Sequence, residues 1–145
     1  MDENVELLEY IYKNAEMGMY TITELLKNLN NKENKIKMVA EKELKEFEEF
    51  YKDSKKLLNK NNAPFKKNGT LTKMSASMGI KMETMKDNSD ASIAHMLIQG
   101  ITMGTVEIES KIENYKNVVN KTNLDLAKKY LKTLQNQIEE LKKYL

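Results

Sequence analysis

The sequence predicts an all-α protein built as a four-helix bundle. Its 145 residues and 16.9 kDa are the size of one domain, which we expect to span residues 1–145. Charged residues make up 32% and hydrophobic residues 40%, with five Gly and one Pro, a balance typical of helical proteins. Four long segments repeat their apolar residues at intervals of three and four, which is the period of an amphipathic helix.

The first two segments predict an antiparallel helical pair. The first helix runs from about Glu3 to Leu29, and asparagines at 28, 30 and 31 end it. The second helix begins near Glu33 and is expected to bury Ile36, Val39, Ala40, Glu43, Phe47, Phe50, Ser54, Leu57 and Leu58. Because the link between these helices is short, they are expected to lie side by side in opposite directions.

A long connection follows the second helix. Residues 59–70 read NKNNAPFKKNGT and predict a loop, and a short amphipathic helix is expected over Leu71–Lys86. This connection is long enough to cross the whole length of the bundle. The short helix has a methionine stripe, which is interpreted either as core or as a groove for a protein or an apolar ligand, at Met74, Met78, Met82 and Met85.

The last two segments predict a second helical pair. Polar residues 87–90 offer N-caps for the third helix, and Thr122 is expected to cap the fourth. The third helix contains Gly100 and Gly104, whose spacing allows close approach of another helix, either within the core or at an interface. The expected seam of the fourth helix is Leu124, Ala127, Leu131, Leu134, Ile138, Leu141 and Leu145.

Composition excludes several kinds of site. Cysteine is absent, which excludes disulfides, thiolate metal sites and cysteine nucleophiles. His95 is the only histidine, so one chain cannot build a site that needs two imidazoles, and we expect it on an outer surface. All 24 basic residues are lysine, which argues against nucleic-acid binding. No segment resembles a membrane span or a secretory signal, so we expect a cytoplasmic protein, and its richness in Lys, Asn and Ile is typical of AT-rich bacterial genomes.

Three short segments are informative together: Ala15-Glu16 in the first helix, residues 40–47 (AEKELKEF) in the second and residues 99–104 (QGITMG) in the third. They resemble the ferritin-like superfamily, in particular rubrerythrin-type bundles. The resemblance implies a ferritin-like four-helix bundle with a short extra helix in the crossover between helices two and three. It also implies a di-iron site, to which helices one and three each give a carboxylate and helices two and four each give Glu-x-x-His.

Most of those ligands are missing. Glu16 and Glu43 match carboxylate positions, but Glu46 stands where the resemblance requires a histidine, and the third-helix position is Ile101. The fourth helix has no Glu-x-x-His. The resemblance therefore implies at most an altered iron or manganese site at Glu43, Glu46 and Glu16, with no working di-iron centre.

Glu43 is the most informative single residue. Helical periodicity places it near the centre of the apolar face of its helix, where an isolated carboxylate costs several kcal/mol. It is interpreted either as an altered metal ligand or as a structural carboxylate that bonds to Tyr12, Thr102 or Ser54 or reaches water. We expect a non-enzymatic binding or structural protein, acting as a dimer through the methionine stripe and the outer face of the third helix, with no cofactor. The alternative is a carboxylate-bound metal protein with oxidase or peroxidase-like activity.

Overall fold

A computed structural model describes residues 2–61 and 87–145, and four helices account for most of these ranges. They are α1 (Glu3–Asn28), α2 (Lys37–Lys60), α3 (Asp90–Tyr115) and α4 (Lys121–Lys142). With 22 to 26 residues each, the helices are about 33–39 Å long. The predicted all-α four-helix arrangement is confirmed for the described residues. The predicted short helix over Leu71–Lys86 and its methionine stripe lie outside them.

Polar side chains cap three of the helices. Asp2 accepts a hydrogen bond from the Asn4 amide at 2.8 Å, and Ser89 accepts one from the Ser92 amide at 3.2 Å. The expected Thr122 cap of α4 is wrong. Asn120 has the extended backbone of an N-cap, and its side chain accepts from the Asn123 amide at 2.9 Å. Asparagine ranks above threonine as an N-cap, and the helix begins two residues earlier than expected.

The second helix begins at Lys37 instead of near Glu33. The residues before Lys37 are not helical, and two of them form hydrogen bonds with the start of α3. The Asn34 amide donates to the Asp90 carboxylate at 2.9 Å and to the Asn88 carbonyl at 2.8 Å, while the Lys35 amide donates to Asp90 at 3.2 Å. These bonds place the start of α2 and the start of α3 at the same end of the bundle.

Hydrogen bonds between helices fix the direction of the others. Tyr115 of α3 donates to Glu6 of α1 at 2.8 Å, and Tyr10 donates to the Gly104 carbonyl at 3.4 Å, so α1 and α3 are antiparallel. Because α2 and α3 start at the same end, they run parallel. The chain between Asn61 and Asp87 therefore joins opposite ends of the bundle.

The packing is tightest within each helical pair. Helix α1 packs most extensively on α2, and α3 on α4, while α1 also contacts α3 and α4, and α2 contacts α4. Helices α2 and α3 occupy opposite corners, with no Cα atoms within 8 Å of each other. The core between them is mainly aliphatic, with fully buried side chains at Leu7, Ile11, Ile22, Leu25, Ile36, Ile93, Ile108, Leu134 and Leu141. No helix in the described ranges is long and apolar enough to cross a bilayer.

The buried face of α4 differs from the expected seam. Leu124, Leu131 and Ile138 are only partly buried, and Leu145 is 64% exposed. The fully buried positions include instead three polar residues spaced by seven, at Asn123, Tyr130 and Gln137. Each donates to a neighbouring helix: Asn123 to Asn4, Tyr130 to Asn14 and Gln137 to Glu46. These hydrogen bonds compensate the burial of the three polar side chains. A seam derived from apolar residues alone does not predict that these side chains are buried.

Gly18 allows the closest approach between α1 and α2. A Cβ atom built on Gly18 would lie 2.8 Å from the Phe47 ring, inside van der Waals contact. A Cβ atom built on Gly104 would lie 3.3 Å from the Asn14 side chain, and one built on Gly100 would lie more than 4 Å from any described atom outside its own stretch of helix. The two glycines of α3 therefore do not act as a pair, and the helix crossing that needs a glycine is at Gly18.

We predict that Gly18→Ala lowers the free energy of unfolding by about 1–3 kcal/mol, because the added methyl must displace a buried ring. Gly100→Ala is the matched control. It adds the same methyl at an open helical site, where the better helix propensity of alanine is worth up to about 1 kcal/mol. Urea unfolding at low micromolar protein concentration measures both, and equal effects of the two substitutions would contradict this account.

Candidate functional site

A polar layer lies between the antiparallel helices α2 and α4. Helix α2 contributes Lys42, Glu43 and Glu46, and α4 contributes Gln137 and Glu140. Spacing of three residues puts Glu43 and Glu46 on one face of α2, and the same spacing puts Gln137 and Glu140 on one face of α4. We call these five residues the polar layer.

Two contacts join the helices across the polar layer. The Lys42 ammonium lies 2.7 Å from the Glu140 carboxylate at the edge of the layer, where the Lys42 side chain is 59% exposed. Deeper in, the Gln137 amide donates to a Glu46 carboxylate oxygen at 3.3 Å. Glu140, at the edge of the layer, thus has a cationic partner, and Glu46, deeper in, has a neutral one.

Glu43 has neither kind of partner. It has no exposed surface, and both carboxyl oxygens lack a hydrogen-bond partner, as does Oε1 of Gln137. Its burial was expected, but the expected partners are wrong. The Tyr12 hydroxyl pairs with that of Tyr51 at 3.2 Å, and Ser54 donates to the Phe50 carbonyl at 2.7 Å. Thr102 is exposed on α3.

The surroundings of Glu43 favour its neutral form. Burial raises its pKa to about 8, and the negative charges of Glu140 and Glu46 act in the same direction, while Lys42 acts in the opposite one. Burial also raises the pKa of Glu46, against the hydrogen bond from Gln137. At neutral pH the Glu43 carboxyl is therefore mostly protonated, so the layer avoids an unpaired buried charge.

Glu16 stands apart from this layer. It is partly buried on α1, where burial raises its pKa, and it is not among the charges that shift the pKa of Glu43 or Glu46. Within residues 2–61 and 87–145 no three Asp, Glu or His side chains are grouped so that they could hold a metal ion. The structure brings Glu43 and Glu46 together without Glu16, and the metal site at these three residues stays a prediction.

Aromatic rings fill the bundle interior beside the polar layer. Tyr130 is fully buried and meets Phe50 and Phe47 edge-on, at centroid distances of 4.8 and 6.5 Å. Its hydroxyl donates to Asn14 of α1. On α3, the position where the resemblance implies a carboxylate is Ile101, which packs in the core at 8% exposure. The third-helix position of the implied di-iron site is thus occupied by an apolar core residue.

Sequence analysis missed Gln137 and Glu140. The seven-residue spacing of Asn123, Tyr130 and Gln137 was the available signal, because it puts three polar groups on one face of α4. His95 is exposed on α3 as expected, and its ring lies 3.5 Å from the Gln99 amide. Comparisons of this chain with protein-family models, with curated proteins and with solved structures found no match.

The buried Glu43 carboxyl predicts a specific pH dependence of stability. Its pKa is about 8 in the folded protein, against about 4.3 in an unfolded chain, so between these values only the folded chain holds the proton. The stabilisation from this proton is complete below the lower value and declines as pH rises to the upper one. Relative to Glu43→Gln, the wild type should lose up to about 1.4 kcal/mol per pH unit between about pH 5 and pH 8.

Glu41→Gln is the control, because it is the same Glu-to-Gln substitution at an exposed position of the same helix. Urea unfolding of the three proteins across the pH range measures the differences. A constant difference between wild type and Glu43→Gln from pH 5 to pH 8 would show that the Glu43 carboxyl is ionised in the fold.

Proposed function

We propose that the protein is a cytoplasmic ferritin-like bundle that works as a non-enzymatic binding or structural protein. The observation that carries this proposal is the polar layer, in which two of the three carboxyl groups already have partners within the chain. Lys42 forms an ion pair with the Glu140 carboxylate, and Gln137 donates a hydrogen bond to one oxygen of Glu46. A metal ion would have to displace the lysine and compete for these oxygens.

The arrangement of the helices supports the ferritin-like part of the proposal. Two antiparallel pairs, α1 with α2 and α3 with α4, are joined by a connection between opposite ends of the bundle. Ferritin-like folds share this topology, with one long crossover between the second and third helices.

The residues of this chain do not fit a di-iron centre. Such a centre takes four carboxylates and two histidines from the four helices. Here Ile101 replaces the carboxylate of the third helix, the only histidine is exposed, and the buried positions of α4 beside the layer are Leu134, Gln137 and Leu141. The protein groups that would activate oxygen at such a centre are therefore not assembled.

A second candidate function is a divergent carboxylate-bound iron or manganese protein. It is favoured by the carboxyl of Glu43, which is fully buried, has no hydrogen-bond partner and lies beside Glu46. Carboxylate and amide oxygens suit manganese, and Gln137 offers one unpaired oxygen. In this alternative Glu16 or a second chain completes the site.

Elemental analysis distinguishes the two functions. The protein is purified without chelator, then loaded with iron and separately with manganese, and the bound metal is measured per chain. We expect background metal in the wild type, in Glu43→Gln and in the exposed control Glu41→Gln.

Near-stoichiometric metal in the wild type and in Glu41→Gln, lost in Glu43→Gln, would overturn the non-enzymatic proposal. Circular dichroism of the same samples shows whether the variant is folded. Oxygen and peroxide turnover would then be measured on the loaded protein.

A further inference from the structure

We propose that Tyr12 and Tyr51 form an oxidation site, at which a one-electron oxidant joins the two rings by a covalent carbon–carbon bond. The product is a dityrosine cross-link within one chain, between α1 and α2. Its formation needs neither a bound metal nor a partner chain, so it is independent of the proposed binding or structural role.

The rings of Tyr12 and Tyr51 are stacked and converge at their hydroxyl ends. Their centroids lie 4.8 Å apart, and their planes are inclined by 23°. The two hydroxyl oxygens are closer, at 3.2 Å, and share a hydrogen bond. Tyrosyl radicals couple at Cε, the carbon next to the one that bears the hydroxyl. The end at which the rings can couple is therefore the end where they are closest.

Stacking also suits the direction of the new bond. When a tyrosine loses one electron and its hydroxyl proton, the unpaired electron is spread over the oxygen and the Cε carbons, in orbitals perpendicular to the ring. Two stacked radicals point these orbitals at each other, and the bond forms between one Cε of each ring. The hydrogen on each of these carbons then moves as a proton to a phenol oxygen. The pair thus loses two electrons, which reduce the oxidant, and two protons.

The surroundings of the pair allow electrons and protons to leave. Both rings are half-buried, so each keeps part of its surface in solvent. Burial raises the pKa of the Tyr12 hydroxyl, and so do the hydrogen bond with Tyr51 and the charge of Glu16. The Tyr12 hydroxyl therefore stays protonated at neutral pH, and its proton leaves together with the electron. Glu16, one helical turn away, and the solvent can accept it.

Other tyrosines of the chain have different neighbours. Tyr130 meets phenylalanine rings edge-on, and these have no hydroxyl. The hydroxyls of Tyr10 and Tyr115 bond to a backbone carbonyl and a carboxylate. Tyr20 is 37% exposed on α1, where it can meet other molecules. We therefore expect the Tyr12–Tyr51 product within the folded chain, and products between molecules through Tyr20.

The cross-link should stabilise the fold. It joins residues that are 39 positions apart in the chain and so restricts the unfolded state. We expect the cross-linked protein to unfold at a higher urea concentration than the untreated protein.

Oxidation of the full chain with persulfate, activated by light and a ruthenium complex, tests the proposal. Persulfate takes up the electrons and is reduced to sulfate. A lysine-specific protease then releases Tyr12 in residues 1–13 and Tyr51 in residues 46–52. In the wild type, mass spectrometry should find these two peptides joined, with the loss of two hydrogen atoms, in protein of monomer size. Tyr20→Phe is the control and should give the same product, whereas Tyr12→Phe and Tyr51→Phe should not.

A wild type in which these two peptides are never joined would overturn the proposal, and so would joined peptides that persist in Tyr51→Phe. Phenylalanine keeps the ring and removes only the hydroxyl, and circular dichroism checks that the variants are folded. The same oxidation in concentrated urea tests the role of the stack. A yield of the Tyr12–Tyr51 product as high in urea as in buffer would also overturn the proposal. Methionine oxidation adds oxygen without joining peptides, so it does not affect this readout.

Discussion

The burial of one carboxyl group, that of Glu43, is the constraint around which α2 and α4 are arranged. An ionised carboxylate with no hydrogen-bond partner and no exposed surface would cost several kcal/mol, so the fold must keep this group neutral. The pairing of Lys42 with Glu140 contributes to this outcome, because it keeps the ammonium group at Glu140 and leaves Glu43 without a counter-ion. Gln137 is uncharged and therefore cannot act as a counter-ion for an ionised Glu43. The contacts between α2 and α4 in this layer are therefore polar, and its fully buried acid, Glu43, is mostly uncharged at neutral pH.

The same solution recurs along α4. Asn123, Tyr130 and Gln137 are buried one heptad apart, and each donates a hydrogen bond to α1 or α2. An aliphatic core holds helices together without fixing their register, whereas a donor and an acceptor on facing helices must meet at one place. We infer that these three side chains set the position of α4 along the bundle. The aliphatic residues between them, such as Leu134 and Leu141, supply the apolar burial.

Sequence periodicity was sufficient for the parts of this fold that depend on local patterns. It located the four helices, the burial of Glu43 and the exposure of His95, because each follows from position on a 3.6-residue period. It failed where a residue distant in sequence decides the outcome. Helix α2 begins only at Lys37, because Asp90 of α3 accepts hydrogen bonds from the residues before it. Gln137 is on the buried face of α4, where Glu46 accepts its hydrogen bond. The metal prediction at Glu16, Glu43 and Glu46 depends on convergence in space, which periodicity does not describe.

The protonation state of Glu43 is the central claim, and a direct titration tests it. The carboxyl carbon of Glu43 gives a carbon-13 NMR signal whose shift reports ionisation, and comparison with Glu43→Gln assigns it. We predict a midpoint near pH 8, with the group protonated at pH 7. A midpoint near the ordinary glutamate value of about 4.3 would contradict the account, because it would mean that the buried carboxylate has a compensating partner that the polar layer does not provide.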